Sequence, residues 1–380
     1  VGDKIKVIKM LNKIKSHWYE LKTEYENRYN KSFLSDFETS KEYLEKMKNY
    51  LLDKQSKCPS NVDVICTLAS VCVELRDENF DYIEFLQDFL NEFENSLSDI
   101  DKSRIYTNLA FWEDFSRDSL KYFNLAKDLG SPFVETYTGL GLYYFSEYEY
   151  SKDEKNLLIS HNYFKTAREM NENYITSLNY AVSLFELKEY EKAKEIFLSL
   201  LKVYPDRMRL LLCLAYCEVC LGSKDEAMSY VEKVKPGQDL KYNLNTDDIS
   251  EDQIIDVYYA LEEYDTFLNL CGDCVEYYYI AEWEEYFHVL WLKNQKKKFF
   301  SLEEKNRKYF EEAINEAIAD EEYDSEKEKQ ETIASWEEDK RKFEEMIFRI
   351  KSGASRPEIK LKLYPEYSCF MVDCVRHKFI

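Results

Sequence analysis

The chain of 380 residues is poor in backbone breakers, with only 8 Gly and 6 Pro. A protein built from many short strands needs more turn residues than that, so the backbone is expected to run mainly as helix. It also lacks any apolar run approaching the roughly 18 residues of a membrane-spanning helix. The first eleven residues alternate Lys with apolar side chains and carry no cleavable signal pattern. These features point to a cytoplasmic protein, in which the ten cysteines are read as reduced thiols rather than as a disulfide framework.

Histidine is scarce as well, limited to His17, His161, His288 and His377. There is no Gly-rich phosphate loop, no nucleophile elbow and no His-Glu-x-x-His zinc helix. The acidic runs Glu321-Glu322 and Glu337-Glu338-Asp339 read as solvated helix faces. No catalytic residue is assigned, and the chain is read as a non-enzyme. Positive charge is the other shortage, since the net charge is −22. That argues against general nucleic-acid binding, which depends on Lys and Arg displacing counterions from phosphate. The charge is uneven: residues 1 to 57 hold 13 Lys+Arg against 9 Asp+Glu, so they carry +4 and the remainder carries −26. A basic partner, or a basic segment folding back, fits this polarity.

What the chain does have is a repeat. Segments starting at Tyr174 and Met208 carry the same residue classes 34 positions apart: Ala181 matches Ala215, Lys188 matches Gly222, and Ala193 matches Ala227. A period of this length implies stacked helical hairpins, none of which can bury its apolar face alone. Small residues belong where two helices cross closely, and an aromatic such as Phe197 fills the hole between neighbours. Pro205 and Pro236 close the two units. Upstream, Tyr137, Leu140, Gly141, Tyr144, Phe164 and Ala167 form a unit whose turn is about seven residues longer, around residues 150 to 155. Tyr106, Leu109, Ala110, Phe123 and Ala126 form another, and Leu68-Ala69 begin a weaker one.

On these positions the segment of residues 62 to 240 resembles the tetratricopeptide repeat (TPR) family. The expected fold is therefore all-α: an α-solenoid of TPR-like helix-turn-helix repeats at 61–240, preceded by an N-terminal helical cap or bundle at 1–60. In the cap, Ile14, Trp18, Leu21 and Tyr25 form one stripe. Ser35-Asp36 followed by Glu38 caps a second helix, which Cys58-Pro59-Ser60 ends. A degenerate repeat or capping helices occupy 241–300, with a helix cap at Ser250. Long charged helices occupy 301–351, where Ile333, Trp336, Phe343, Ile347 and Ile350 form a heptad seam expected to pack on the solenoid's concave or lateral face. At 352–380, Ile359, Leu361 and Leu363 alternate with period two. This tail is expected to be a short terminal β-hairpin that packs against the repeats or opens another domain.

The resemblance implies that the first helix of each hairpin lines a concave groove. Carried over position by position, the partner-binding residues are Phe111 and Phe115, Leu142 and Phe145, Leu178, Val182 and Phe185, then Leu212, Tyr216 and Val219. This lining is apolar. Leu178 and Val182 depart from the Lys and Asn pattern that resembles a clamp for chaperone tail carboxylates. The expected partner is a protein or peptide segment, basic or amphipathic, with neither nucleic acid nor membrane as a ligand. The expected function is a scaffold or adaptor. Two alternatives are a regulatory portion of a larger prokaryotic effector, in which a protease or nuclease comes after such repeats, and a peptide-sensing regulator.

No cofactor or metal is assigned. Cys213, Cys217 and Cys220 have the spacing of an iron-sulfur loop, but they alternate with core positions of a repeat helix and are read as packing residues. Cys271 and Cys274, with Cys374 and His377, could in principle supply four zinc ligands. They too are read as packing.

Overall fold

The computed structural model describes residues 2–112, 117–205, 207–235, 249–274, 283–320, 322–323, 325–367, 369 and 371–379, with backbone alone for 2–9, 112, 117, 273 and 274. The α-helices are α1 (Gly2–Tyr29), α2 (Phe37–Lys57), α3 (Val62–Glu74), α4 (Tyr82–Phe93), α5 (Asp99–Trp112), α6 (Arg117–Asp128), α7 (Val134–Ser151), α8 (Glu154–Met170) and α9 (Tyr174–Glu186). They continue as α10 (Tyr190–Val203), α11 (Met208–Leu221), α12 (Lys224–Val231), α13 (Glu251–Ala260), α14 (Tyr264–Cys274), α15 (Glu284–Leu292), α16 (Lys296–Ala319), α17 (Glu326–Lys351) and α18 (Val375–Lys378). The chain divides into two compact units, Val1–Glu189 with Tyr364–Ile380, and Tyr190–Leu363. The two helices of the best-matched repeat, α9 and α10, therefore belong to different units.

In the first unit, α1 and α2 bury the stripe of Ile14, Trp18, Leu21 and Tyr25 against Tyr43, Leu44, Met47 and Leu51. Asp36 caps α2 by accepting the Thr39 N–H, and Cys58 ends that helix. Helix α3 is buried nearly all round, as its apolar sequence requires. Close crossings fall on the small residues: a Cβ added to Gly139 would sit 2.1 Å from Phe123 Cζ, and one added to Gly141 would sit 2.5 Å from Phe164. The extra residues near 150 do not lengthen a turn. They extend α7 and α8 to 18 and 17 residues, with left-handed Lys152 at the join.

In the second unit, Ala193, Phe197, Ala215 and Ala227 are fully buried at their repeat positions. Ser250 forms the expected capping box, here with Gln253. The charged region is a helix pair, and its seam finds a different partner from the one expected. Phe343 on α17 packs on Phe310 of α16 and Phe287 of α15, with ring centroids 5.7 and 5.8 Å apart. Arg307 pairs with Glu344 across the same seam at 2.6 Å. The stripe is thus satisfied by its own hairpin and α15.

The expected β-hairpin is not present: among the described residues there is no strand. The period-two pattern does mark extended backbone, with Leu361 and Leu363 buried and Glu358 and Lys360 exposed. Hydrogen bonds that a partner strand would supply come instead from helix side chains. In the second unit, for example, Tyr259 Oη donates to the Pro357 carbonyl at 2.8 Å. An extended segment needs its polar groups paired, and a helix surface can do this as well as a second strand.

Candidate functional site

In the first unit, helices α3, α5, α7 and α9 carry polar side chains at matching repeat positions. Relative to the small residue of each repeat, Asp63, Arg104 and Glu135 all lie six positions before it (Ala69, Ala110 and Gly141), Asn108 and Asn179 lie two before (Ala110 and Ala181), and Ser70 lies one after Ala69. Equal register on equivalent helices puts these groups on equivalent faces. All of them are held by or close to the chain's own C-terminal segment.

That segment runs from α9 toward α1, against the order of the helices. Asn179 reads the backbone of Glu366 at two points, donating to its carbonyl at 3.0 Å and accepting its N–H at 2.7 Å. Asn108 accepts the Val372 N–H at 2.7 Å and donates to Asp373 Oδ2 at 2.9 Å. Ser70 Oγ accepts the Val375 N–H at 2.9 Å. Arg376 pairs with Glu74, and Lys378 with Glu135 at 2.6 Å. Met371 and Cys374 join the apolar cluster of α3 to α5. Val375 and Phe379 join that of α1 to α3, where Phe379 meets Trp18 edge-on at 6.1 Å.

The centre of the site is a buried triad. Arg104 Nε donates to both Asp373 oxygens, at 3.0 and 2.9 Å, while Nη1 donates to Asp63 Oδ1 at 2.7 Å. A third bond runs from Arg104 Nη2 to Asp373. Burial is the largest single influence and opposes the guanidinium charge, but Asp373, through its charge and hydrogen bonds, together with Cys66 and Asp63 outweighs it, so the Arg104 pKa lies well above its ordinary value. Asp63 goes the other way: burial pushes its carboxyl up more strongly than Arg104 draws it down. Its second oxygen, Asp63 Oδ2, is buried without a hydrogen bond. Two carboxylates share one cation here, and Asp63 is the weaker-held of the two.

The apolar positions assigned from sequence are mostly core. In the first unit Leu142, Phe145, Leu178, Val182 and Phe185 are at most 3% exposed. Phe111 is half-buried and packs on the cluster that includes Met371 and Cys374. Phe115 lies outside the described residues. In the second unit Leu212 and Tyr216 are buried on α11, with Tyr216 Oη donating to the Gln253 carbonyl at 3.1 Å, and Val219 is half-buried. Sequence reasoning missed Arg104, Asn108 and Asn179. The available signal was a polar residue at a constant offset from the small residue of each repeat.

Cysteines divide by environment. In the second unit Cys213 and Cys217 are buried one turn apart, Cys220 is exposed, and burial raises the Cys217 thiol pKa. Cys271 is buried on α14 of the second unit, and the Cys274 side chain lies outside the described residues. In the first unit Cys374 and His377 converge with Cys369, a residue not singled out from sequence. Elsewhere in the second unit, Asp252, Asp256 and Glu285 line a cavity of about 230 Å3 with Phe267, Cys271 and Trp283. Burial, reinforced by Glu285 and Asp252, raises Asp256 to about 7.

No family profile and no curated protein matches the chain. Among solved structures it is similar to yeast Tom70, at 15% identity and a TM-score of 0.38, over 80% of this chain and 60% of that one. It is also similar to a tetratricopeptide repeat protein from Parabacteroides merdae ATCC 43184, at 15% identity and a TM-score of 0.40, over 69% of this chain and 91% of that one. The chain spans about three fifths of the Tom70 chain it matches. Likenesses at these scores carry no argument, so the repeat reading rests on the 34-residue period and the helix pairs themselves. No described helix is long and apolar enough to cross a membrane.

Proposed function

We propose that the first unit is a protein-interaction module whose first-helix faces bind an extended peptide, and that residues 364–379 occupy this surface as an internal ligand. The observation that carries the reading is the mode of recognition. Asn179 and Asn108 read main-chain groups, which any extended peptide presents, while Arg104 selects an acidic side chain at one position. Main-chain bonds supply affinity and a side-chain pocket supplies specificity in peptide recognition generally. A partner segment in this reading is extended and carries an acidic residue flanked by apolar ones. That revises the sequence-based expectation of a basic or amphipathic segment, because the side chain that selects is Arg104. Phe111, Leu142, Phe145, Leu178, Val182 and Phe185 then serve as the apolar support of the surface. Partner binding requires the tail to give way, so apparent affinity falls by the fraction of chains whose tail is out.

The test uses the 380-residue chain and a fluorescently labelled peptide of residues 364–380. In the Asp373→Ala chain the tail is weakened while the surface is intact, so the added peptide should bind more tightly than to the unchanged chain. Adding Arg104→Ala should abolish that gain. If the Asp373→Ala chain remains folded by circular dichroism and captures no peptide, the receptor reading is wrong.

A further inference from the structure

The sequence assigns no metal to this chain, but in the folded first unit one ligand atom each from Cys369, Cys374 and His377 lies within 4.8 Å of the other two. Cys374 is the N-cap residue of α18 and His377 is its third residue, positions whose side chains meet across a helix start. Cys374 Sγ and His377 Nδ1 are accordingly 3.3 Å apart. Tetrahedral zinc, with bonds of about 2.3 Å to sulfur and about 2.0–2.1 Å to nitrogen, separates its ligands by about 3.6–3.8 Å. The three groups therefore need only small side-chain adjustments to share one ion.

The surroundings suit such an ion. Cys369 Sγ accepts hydrogen bonds from the Cys374 thiol and from the Met371 N–H. Backbone support of this kind orients a thiolate ligand and stabilises its charge. The turn between the two cysteines is pinned from the outside, since Asp373 is gripped by Arg104 and Val372 by Asn108. The ligand set is therefore largely preorganised, and two thiolates with an imidazole favour zinc over hard cations.

We propose that Cys369, Cys374 and His377 bind one Zn2+ ion in the C-terminal segment, with a water in the fourth position. Cys66, Cys72 and Cys58 take no part. The ion closes residues 369 to 377 into a rigid loop whose shape matches the surface that holds it. Binding displaces the thiol protons, so affinity rises with pH through the thiol range. If the tail exchanges with partner peptides, which rests on the function proposed above, the ion slows that exchange.

The experiment adds Zn2+ or Co2+ to the reduced, metal-stripped 380-residue chain with no peptide present, so its result does not depend on whether the tail ever leaves. Expected are one equivalent of zinc per chain by elemental analysis and, with Co2+, the thiolate charge-transfer and ligand-field bands of a tetrahedral site. Cys369→Ser and His377→Gln should each weaken binding by more than about 100-fold, a larger loss than disturbing a ligand's support alone produces. Cys72→Ser should leave it unchanged. His377 is half-buried, so His377→Gln keeps the fold and circular dichroism verifies this. Substoichiometric zinc, or cobalt bands that persist in both ligand variants, overturns the site. Faster exchange of the labelled peptide after chelation supports the consequence for the tail; zinc binding with unchanged exchange keeps the site and removes that consequence.

Discussion

The C-terminal segment of the first unit and the α16–α17 pair of the second both answer the same need, a stretch of chain that must find cover, and they do so by different physics. The helix pair is held by a repeating apolar seam of Phe310, Phe343, Ile347 and Ile350 with ion pairs at its edge, among them Arg307 with Glu344, both half-buried. Any helix of similar period could take part in such a seam. The tail is held by buried, directional groups that read individual atoms: two asparagines on the main chain, one serine, and one arginine on one carboxylate. The first arrangement favours stability, and the second favours discrimination, because a wrong residue leaves a buried polar group unpaired.

The largest effect should come from breaking the directional centre. Arg104→Leu strands two buried carboxylates, and losing one member of a buried charge group costs about 3–5 kcal/mol. Arg307→Leu at the seam's edge should cost less, because Glu344 reaches solvent and the buried Glu303 keeps Lys351 as its partner at 2.6 Å. Charge bookkeeping within the triad sharpens this further. Asp63→Asn leaves Arg104 and Asp373 as a balanced pair and removes the weaker-held carboxylate, so it should change stability far less than Arg104→Leu. Chemical denaturation of the three variants checks the order, and equal losses would mean that the triad is not the centre of the interaction.

Phe145→Ala tests the apolar floor at a comparable scale. Phe145 is 1% exposed on α7, and truncating a buried Phe costs about 3–5 kcal/mol. An open groove wall would instead show a small stability change and a large loss of peptide binding. Melting and peptide capture on the same variant separate the two.

Next in size is a pH effect confined to the second unit. Asp256 is raised to about 7, first by burial and then by Glu285 and Asp252. A raised folded-state pKa contributes stability that is fully present below the unfolded value, about 4, and lost as pH rises toward 7. With allowance for its partial exposure, the loss is on the order of 2 kcal/mol across that window. Asp256→Asn should flatten the profile. An unchanged slope between pH 4 and 7 would show that another group controls it.

The contrast between the two regions also explains what the sequence disclosed. Helix hairpins, caps at Asp36 and Ser250, and the seam of α17 are local or periodic, and periodicity is readable from one chain. The partner of the seam was misassigned because a stripe states that it must be covered, not by what. The tail's hydrogen bonds join residues 187 to 342 positions apart in the sequence, and no local pattern encodes such a pairing. The alternation of Ile359, Leu361 and Leu363 correctly marked extended backbone. It implied a strand partner only because sheet pairing is the commonest way to satisfy one. Arg104 and Asn108 stand in a helix whose first ten residues are mostly polar, and the same helix contains Thr107 and Ser103, which merely bond to their own helix or its neighbour.

The smallest effect compares the two units at one repeated position. Lys188 ends the turn after α9 with φ 65°, and Gly222, 34 residues on, ends the turn after α11 with φ 79°. Both lie in the left-handed region, where a side chain costs about 1–2 kcal/mol and glycine does not. Nothing lies within 4 Å of a Cβ added at Gly222, so a substitution there meets backbone strain and no clash. Gly222→Lys should therefore destabilise by about 1 kcal/mol. Lys188→Gly relieves the same strain, but it also frees the unfolded chain, which takes back part of the gain. A net stabilisation of about 0.5 kcal/mol is expected. If Lys188→Gly instead destabilises by as much as Gly222→Lys, the lysine side chain is contributing contacts of its own, and the two turns are equivalent in backbone but not in energy.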